Sequence, residues 1–172
     1  MELREAGAAE PEVRDFLLRR GSAVVARRGE LVDALTRPAV VAIESGVVSG
    51  VLTYDIVGER CEILTLHSDR QWAGLGTAMV LAGGDLAAAA GCRLYWVVTT
   101  NDNVDALRFY QRRGFHLTAV RPGAVDQSRR TLKPQIPPTG NYGIPIRDEL
   151  ELAQTLPLAV SGSGRILDVG QS

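Results

Sequence analysis

The chain has 172 residues, 45% of them hydrophobic, with 19 basic against 20 acidic side chains and a formal net charge of −1. That length suits one domain able to bury roughly 70% of its unfolded surface without metal or disulfide staples, and the balanced charge removes the electrostatic case for nucleic acid or an anionic membrane surface. No apolar run approaches the ~20 residues that span a bilayer, the N-terminal Met-Glu-Leu-Arg-Glu lacks the order of a secretion signal, and Cys61 and Cys92 have no metal-ligand spacing, so a cytoplasmic protein with reduced thiols and no metal is expected.

Residues 2–6 read as a short first strand. Glu10 and Pro11 open a helix with Val13, Phe16, Leu17 and Arg20 along one side, proline being well placed in a first turn. A second helical stretch is expected over about 22–36, with Val24, Val25, Leu31, Val32 and Leu35 as apolar positions and an interruption at Gly29. Strands at 39–44, 47–56 and 61–67, separated by Ser45-Gly46 and Gly58-Glu59, predict an antiparallel meander. An Ala-rich helix follows from Gly74 to about 90. Its Gly83-Gly84 pair costs roughly 1 kcal/mol per glycine relative to alanine, which implies close backbone packing. Residues 93–100 are apolar on both faces and predict a central strand.

Asn103 then caps a helix whose Ala106, Phe109, Tyr110 and Arg113 share one face, and Gly114 ends it. Residues 116–120 form a strand. The connection 121–143 carries Pro122, Pro134, Pro137 and Pro138 and is long enough to suggest a functional or disordered segment, with a short helix over Ala124–Leu132. Residues 144–152 alternate as a half-buried last strand. The expected domain is 1–155, followed by a flexible tail over 156–172 that contains Ser-Gly-Ser-Gly.

Two motifs carry chemistry. Residues 70–77, Arg-Gln-Trp-Ala-Gly-Leu-Gly-Thr, lie between a strand and a helix, where unpaired N–H groups and the helix dipole favour an anion. Neither a Walker Lys-Ser/Thr pair nor a three-glycine dinucleotide fingerprint is present. The register Gln71-x-x-Gly74-x-Gly76 resembles the Q/R-x-x-G-x-G/A signature of the GNAT superfamily, the acyl-CoA-dependent N-acetyltransferases. Residues 103–115 resemble that family's N-x-x-A-x-x-F/L-Y-x-x-x-G-F motif, with Asn103, Ala106, Phe109, Tyr110, Gly114 and Phe115 in the marked positions. The stretch 121–150 is similar to a poorly characterised bacterial branch of the superfamily.

The resemblance implies an α/β (α+β) fold, the GNAT fold: a mixed, mostly antiparallel central sheet flanked by helices and splayed between its fourth and fifth strands, here 61–67 and 93–100. It implies acetyl-CoA as cosubstrate in that split. The pantetheine would pair along Leu64, Leu66 and His67, and the pyrophosphate would meet the N–H groups of Gln71, Trp72, Ala73, Gly74, Leu75, Gly76 and Thr77. Trp72 and Ala73 stand where the family commonly has glycine and a basic residue, leaving Arg70 as a source of charge. Asn103 and Ala106 would flank the cofactor arm, and Tyr110 occupies the general-acid position.

The implied reaction is direct attack of an amine on the thioester in a ternary complex, with a small molecule or a protein as acceptor and a homodimer left open. For the base, Glu62 is one candidate, directly or through a water, on the same strand face as Leu64 and Leu66 by alternation; His67 is another. The acceptor site would lie near residues 20–30 and 121–143. Asn141 and Tyr142 would line it, and Asp148, Glu149 and Glu151 either attract a cation or are solvated. The alternative is a degenerate domain that binds acyl-CoA as a sensor or interaction module.

Overall fold

The computed structural model describes residues 1–69 and 74–159. Strands β1 (Glu2–Gly7), β4 (Pro38–Glu44), β5 (Val47–Val57), β6 (Arg60–Ser68), β7 (Leu94–Thr100), β8 (His116–Arg121) and β9 (Glu149–Thr155) form one sheet in the order β1-β4-β5-β6-β7-β9-β8. Strands β2 (Val24–Arg27) and β3 (Glu30–Asp33) form a separate hairpin. The helices are α1 (Pro11–Arg19), α2 (Leu75–Ala89), α3 (Val104–Gln111) and α4 (Ala124–Thr131). Among the described residues no helix is long and apolar enough to cross a membrane.

The meander expected over 39–67 is present as antiparallel β4–β5–β6, closed by two-residue turns at Ser45-Gly46 and Gly58-Glu59. The expected helix over 22–36 is instead the β2–β3 hairpin followed by a single 3₁₀ turn, Ala34–Thr36. Arg28 (φ 51°) and Gly29 (φ 77°) are both left-handed, the backbone of a tight two-residue hairpin turn. The β-branched Val24, Val25 and Val32 favour the extended state as well. Helical spacing of the apolar residues there was coincidental, and the turn chemistry prevailed. The last strand starts at Glu149 rather than 144, because Pro145 lacks the N–H a ladder needs and is held in an isolated bridge to Thr139.

Among the described residues only β6 and β7 run parallel, joined through α2 as one strand–helix–strand crossover. Their pairing runs from Arg60↔Leu94 to Ile63↔Val97 and then stops, although β6 continues to Ser68 and β7 to Thr100. The predicted splay is therefore present. On the other side of β6 the register with β5 passes from Thr53↔Thr65 to Tyr54↔Ile63, leaving Leu64 as the extra residue of a bulge. Such a bulge bends its strand and reverses the facing of the residues beyond it.

One face of the sheet packs on α2 and α3 through Leu52, Ile63, Met79, Tyr95, Phe115 and Leu152. The other receives α1 through Val13, Phe16 and Leu17 against Val41 and Val51. The close packing expected at Gly83-Gly84 is present. A Cβ on Gly83 would lie 2.6 Å from the Tyr95 hydroxyl, and one on Gly84 would lie 2.6 Å from Leu158 Cδ1. The start of the expected tail is thus part of the packed domain: Leu156 N donates to Arg93 O at 2.9 Å, and Leu156 and Leu158 pack on the core. The rest of that tail, 160–172, lies outside the described residues.

Gly83→Ala is expected to lower stability by about 1–3 kcal/mol by overpacking, although the same exchange in an exposed helix gains roughly 1 kcal/mol. Tyr95→Phe is expected to be near neutral, since the buried hydroxyl has no hydrogen-bond partner among the described residues. The double variant should recover most of the loss in urea denaturation.

Candidate functional site

The split opens a continuous cavity of about 1970 Å³ whose walls come from both faces of the sheet. On the α2–α3 face it is lined by Gly74, Gly76, Thr77, Asn103, Ala106 and Tyr110. Leu64, Leu66 and His67 of β6 line it in the split itself. On the opposite face it reaches Ser22, Val25, Ser128, Lys133, Ile136 and Glu149. Of the residues singled out by spacing and motif, Leu64, Leu66, His67, Gly74, Gly76, Thr77, Asn103, Ala106 and Tyr110 line this space.

At the entrance of α2, Gly74 is left-handed (φ 82°), and among the described residues no side chain caps the helix. Among the described residues no side chain takes the first helical N–H groups, and the helix dipole makes an anion favourable there. Gly76 lies against α3: a Cβ there would sit 3.3 Å from the Phe109 ring. Leu75 turns its side chain into the core, so only its backbone is available to a ligand. Arg70, Gln71, Trp72 and Ala73 fall outside the described residues.

Sequence reasoning placed Arg113 on the motif face of α3 but gave it no role. Its guanidinium stacks 3.6 Å from the Phe109 ring centroid, donates to Phe109 O at 2.7 Å, and donates through Nε to Thr77 Oγ1 at 3.0 Å and also through Nη2. A cation is thereby held at the first turn of α2, and the Thr77 hydroxyl is already engaged. The i, i+4 spacing of Phe109 and Arg113 was the available signal.

Asn103 caps α3, its Oδ1 accepting from Ala106 N at 3.2 Å. Tyr110 packs edge-on against Phe109 and Phe115, with centroids 5.1 and 5.2 Å away. Burial pushes its phenol well above the ordinary tyrosine value, only partly opposed by Arg113. It stays protonated through neutral pH while bordering the cavity.

Glu62 does not share a face with Leu66. Cys61 and Ile63 belong to the α2-side core, and past the bulge it is Leu66 that packs there. Glu62 therefore points to the hairpin side, where Arg27 takes both its oxygens, Nε to Oε1 at 2.8 Å and Nη2 to Oε2 at 2.7 Å. Burial pushes its carboxyl up against the pull of Arg27. Glu62 borders a separate hollow of about 300 Å³ with Arg28, Arg60 and Trp96. His67 Nε2 lies 2.6 Å from Ser22 Oγ, and burial, with Arg20 adding, lowers its pKa from 6.5.

The acids of the last strand are not solvated as a group. Glu149 and Glu151 are 2% and 8% exposed. Glu151 pairs with Arg121 Nη2 at 2.7 Å, while each Glu149 oxygen accepts from Arg28 N at 3.1 Å. Asp148 accepts from Gly123 N at 2.8 Å, at the start of α4. Asn141 and Tyr142 do not line the cavity; they bond to Asp102 and Asp105 instead. From the same proline-rich stretch, Val125, Ser128, Lys133 and Ile136 line it. Among the described residues no group of three or more His, Cys, Asp or Glu is placed to hold a metal ion.

A sequence profile of the acetyltransferase (GNAT) family matches residues 12–115. The uncharacterised protein YdhI of Bacillus subtilis (strain 168) is 44% identical over 113 residues, 66% of this chain and 70% of that protein. Of solved structures, the IAA acetyltransferase from Bacillus cereus ATCC 14579 aligns with a TM-score of 0.70 at 20% identity, over 90% of this chain and 99% of that one. A GNAT family acetyltransferase from Elizabethkingia anophelis with acetyl-CoA bound aligns at 0.69 and 17% identity, over 90% and 97%. At these identities the two structures share the fold with this chain.

The lowered pKa of His67 sets a pH dependence. Folded, the imidazole binds a proton less readily than in the unfolded chain, so stability should fall as pH drops below about 6.5. It should level off beneath the folded value. Urea denaturation at pH 5 and 7.5 should show a difference that His67→Gln reduces.

Proposed function

The chain belongs to the GNAT acetyltransferase family, and on that footing we propose that it transfers an acetyl group from acetyl-CoA to an amine of a small molecule or protein, by direct attack in a ternary complex. The observation that carries this reading is the single cavity joining the α2 entrance, the Tyr110 phenol and a chamber on the far face of the sheet. Such a passage lets two substrates meet, one approaching from each side.

The residues present fit acetyl-CoA. The α2 entrance at Gly74, without a side-chain cap among the described residues, and the Arg113 cation beside Thr77 suit its diphosphate. The β6 edge beyond Ile63, unpaired on its β7 side, suits the pantetheine amides as an added strand along Leu64, Leu66 and His67. Asn103 and Ala106 flank that arm. A backbone N–H near Leu66 is the natural donor to the tetrahedral oxyanion. As the C–S bond breaks, the thiolate takes the Tyr110 proton, and solvent restores it. Before attack an alkyl ammonium, with a pKa near ~10.4, must lose a proton. Glu62, sequestered by Arg27, is poorly placed to accept it. The buried, unbridged Cys61 and Cys92 support a reducing, cytoplasmic setting.

Thiol release from acetyl-CoA over an amine panel tests the reading. Amine-dependent turnover is expected; tight acetyl-CoA binding without turnover would favour an acyl-CoA-binding module instead. Tyr110→Phe should lower kcat by about 100-fold or more with acetyl-CoA affinity retained. An unchanged kcat would remove Tyr110 as the acid.

A further inference from the structure

Three buried glutamates lie on the hairpin side of the sheet, and they are not equivalent. Glu62 is neutralised by Arg27 and Glu151 by Arg121. Glu149, 2% exposed, accepts only the backbone N–H of Arg28 among the described residues. Its cross-strand neighbour Arg121 turns to Glu151, and the Arg28 guanidinium lies over the Trp96 ring, 5.2 Å from its centroid. Of the three, Glu149 alone borders the large cavity. A carboxylate taken from water without a counter-cation is costly, and the cavity is where a cation can reach it.

Resting on the acetyl-transfer reading above, we infer that Glu149 receives the acceptor's ammonium group and takes its proton, and that the acceptor is a monoamine with an apolar body. Strand β9 places Glu149 opposite Thr100 of β7, where β7 has parted from β6. On this side the lining is largely apolar, with Val24, Val25, Val125, Ile136 and Ile146, and the hydroxyls of Thr100 and Ser128 are neutral polar groups among them. The one lysine lining the cavity, Lys133, donates to Val24 O at 2.8 Å and puts a positive charge on the same side of the cavity, which disfavours a second ammonium there. On this side of the sheet one carboxylate, largely apolar walls and a lysine match an alkyl or arylalkyl chain with a single ammonium.

The chemistry balances. One ammonium proton passes to Glu149, and the freed nitrogen forms its bond to the acetyl carbon from the hairpin side. The C–S bond breaks toward the α2–α3 side, where the thiolate takes the proton of Tyr110. The nitrogen's second proton passes to solvent as the amide forms, Glu149 releases its proton to solvent, and the Tyr110 phenolate takes one proton back. The net products are the amide, free CoA and one proton.

The test uses phenethylamine and its neutral counterpart 2-phenylethanol, each titrated by calorimetry into protein saturated with CoA, and phenethylamine turnover with acetyl-CoA. Wild-type protein should prefer the amine by about tenfold or more, as expected for a charge-assisted contact. Glu149→Gln keeps an acceptor for Arg28 N. It should erase that preference, leave alcohol and acetyl-CoA binding unchanged, and lower kcat/KM for phenethylamine by about 100-fold. Glu149→Asp should restore part of the preference. Equal binding of amine and alcohol by wild type, or an amine preference retained in Glu149→Gln, overturns the inference. Amine preference that depends on Glu149, with no acetyl transfer to phenethylamine or any other amine tested, would support the ammonium site while overturning the acetyl-transfer reading and, with it, the proton-acceptor role.

Discussion

Parallel pairing between β6 and β7 ends after Ile63↔Val97, and the rest of the molecule is organised around that ending. Two strands that separate inside a domain leave backbone polar groups without partners, a state that needs compensation. On its far side β7 is paired with β9 along its whole length, so only its β6-facing edge opens. On β6 the Leu64 bulge bends the strand while Thr65 to Ser68 keep their ladder with β5. The separation is thus stabilised from both flanks, and the edge in the gap remains available to an extended ligand.

Two contacts set how the helices frame the gap. Gly83 and Gly84 let α2 lie on Tyr95 and Leu158 closer than a Cβ there would permit without a shift of those side chains. Arg113 ties the end of α3 to the first turn of α2 through Thr77 while its guanidinium lies on Phe109. The first contact positions the helix and the second places positive charge beside its N-terminus. An arginine does both jobs because its planar fork bonds and stacks at once.

The opposite wall is electrostatic in character. The β2–β3 hairpin delivers Arg27 to Glu62 and the Arg28 amide to Glu149 from one left-handed turn. Neighbouring residues of a single turn therefore give two carboxylates of the same sheet face different surroundings. One is locked into a bidentate pair with arginine; the other is left bordering open space.

Much was legible where the signal was local. The meander, the Ala-rich helix and the capped α3 with Tyr110 follow from turn residues, caps and periodicity within a dozen positions. The segment 22–36 misled because its apolar spacing matched a helix while its turn, Arg28-Gly29, contains only one glycine to announce the hairpin. Strand alternation failed at Glu62 because a bulge has no reliable sequence mark. What the sequence by itself determined was the order of elements outside 22–36, the glycine turn that opens α2 and the capped helix that carries Tyr110, since each depends on neighbours along the chain. The tertiary structure alone decided which carboxylate is neutralised and which faces the cavity. Arg27 lies 35 positions from Glu62 and Arg28 lies 121 from Glu149, and the charge balance of a buried group depends on what folding brings beside it.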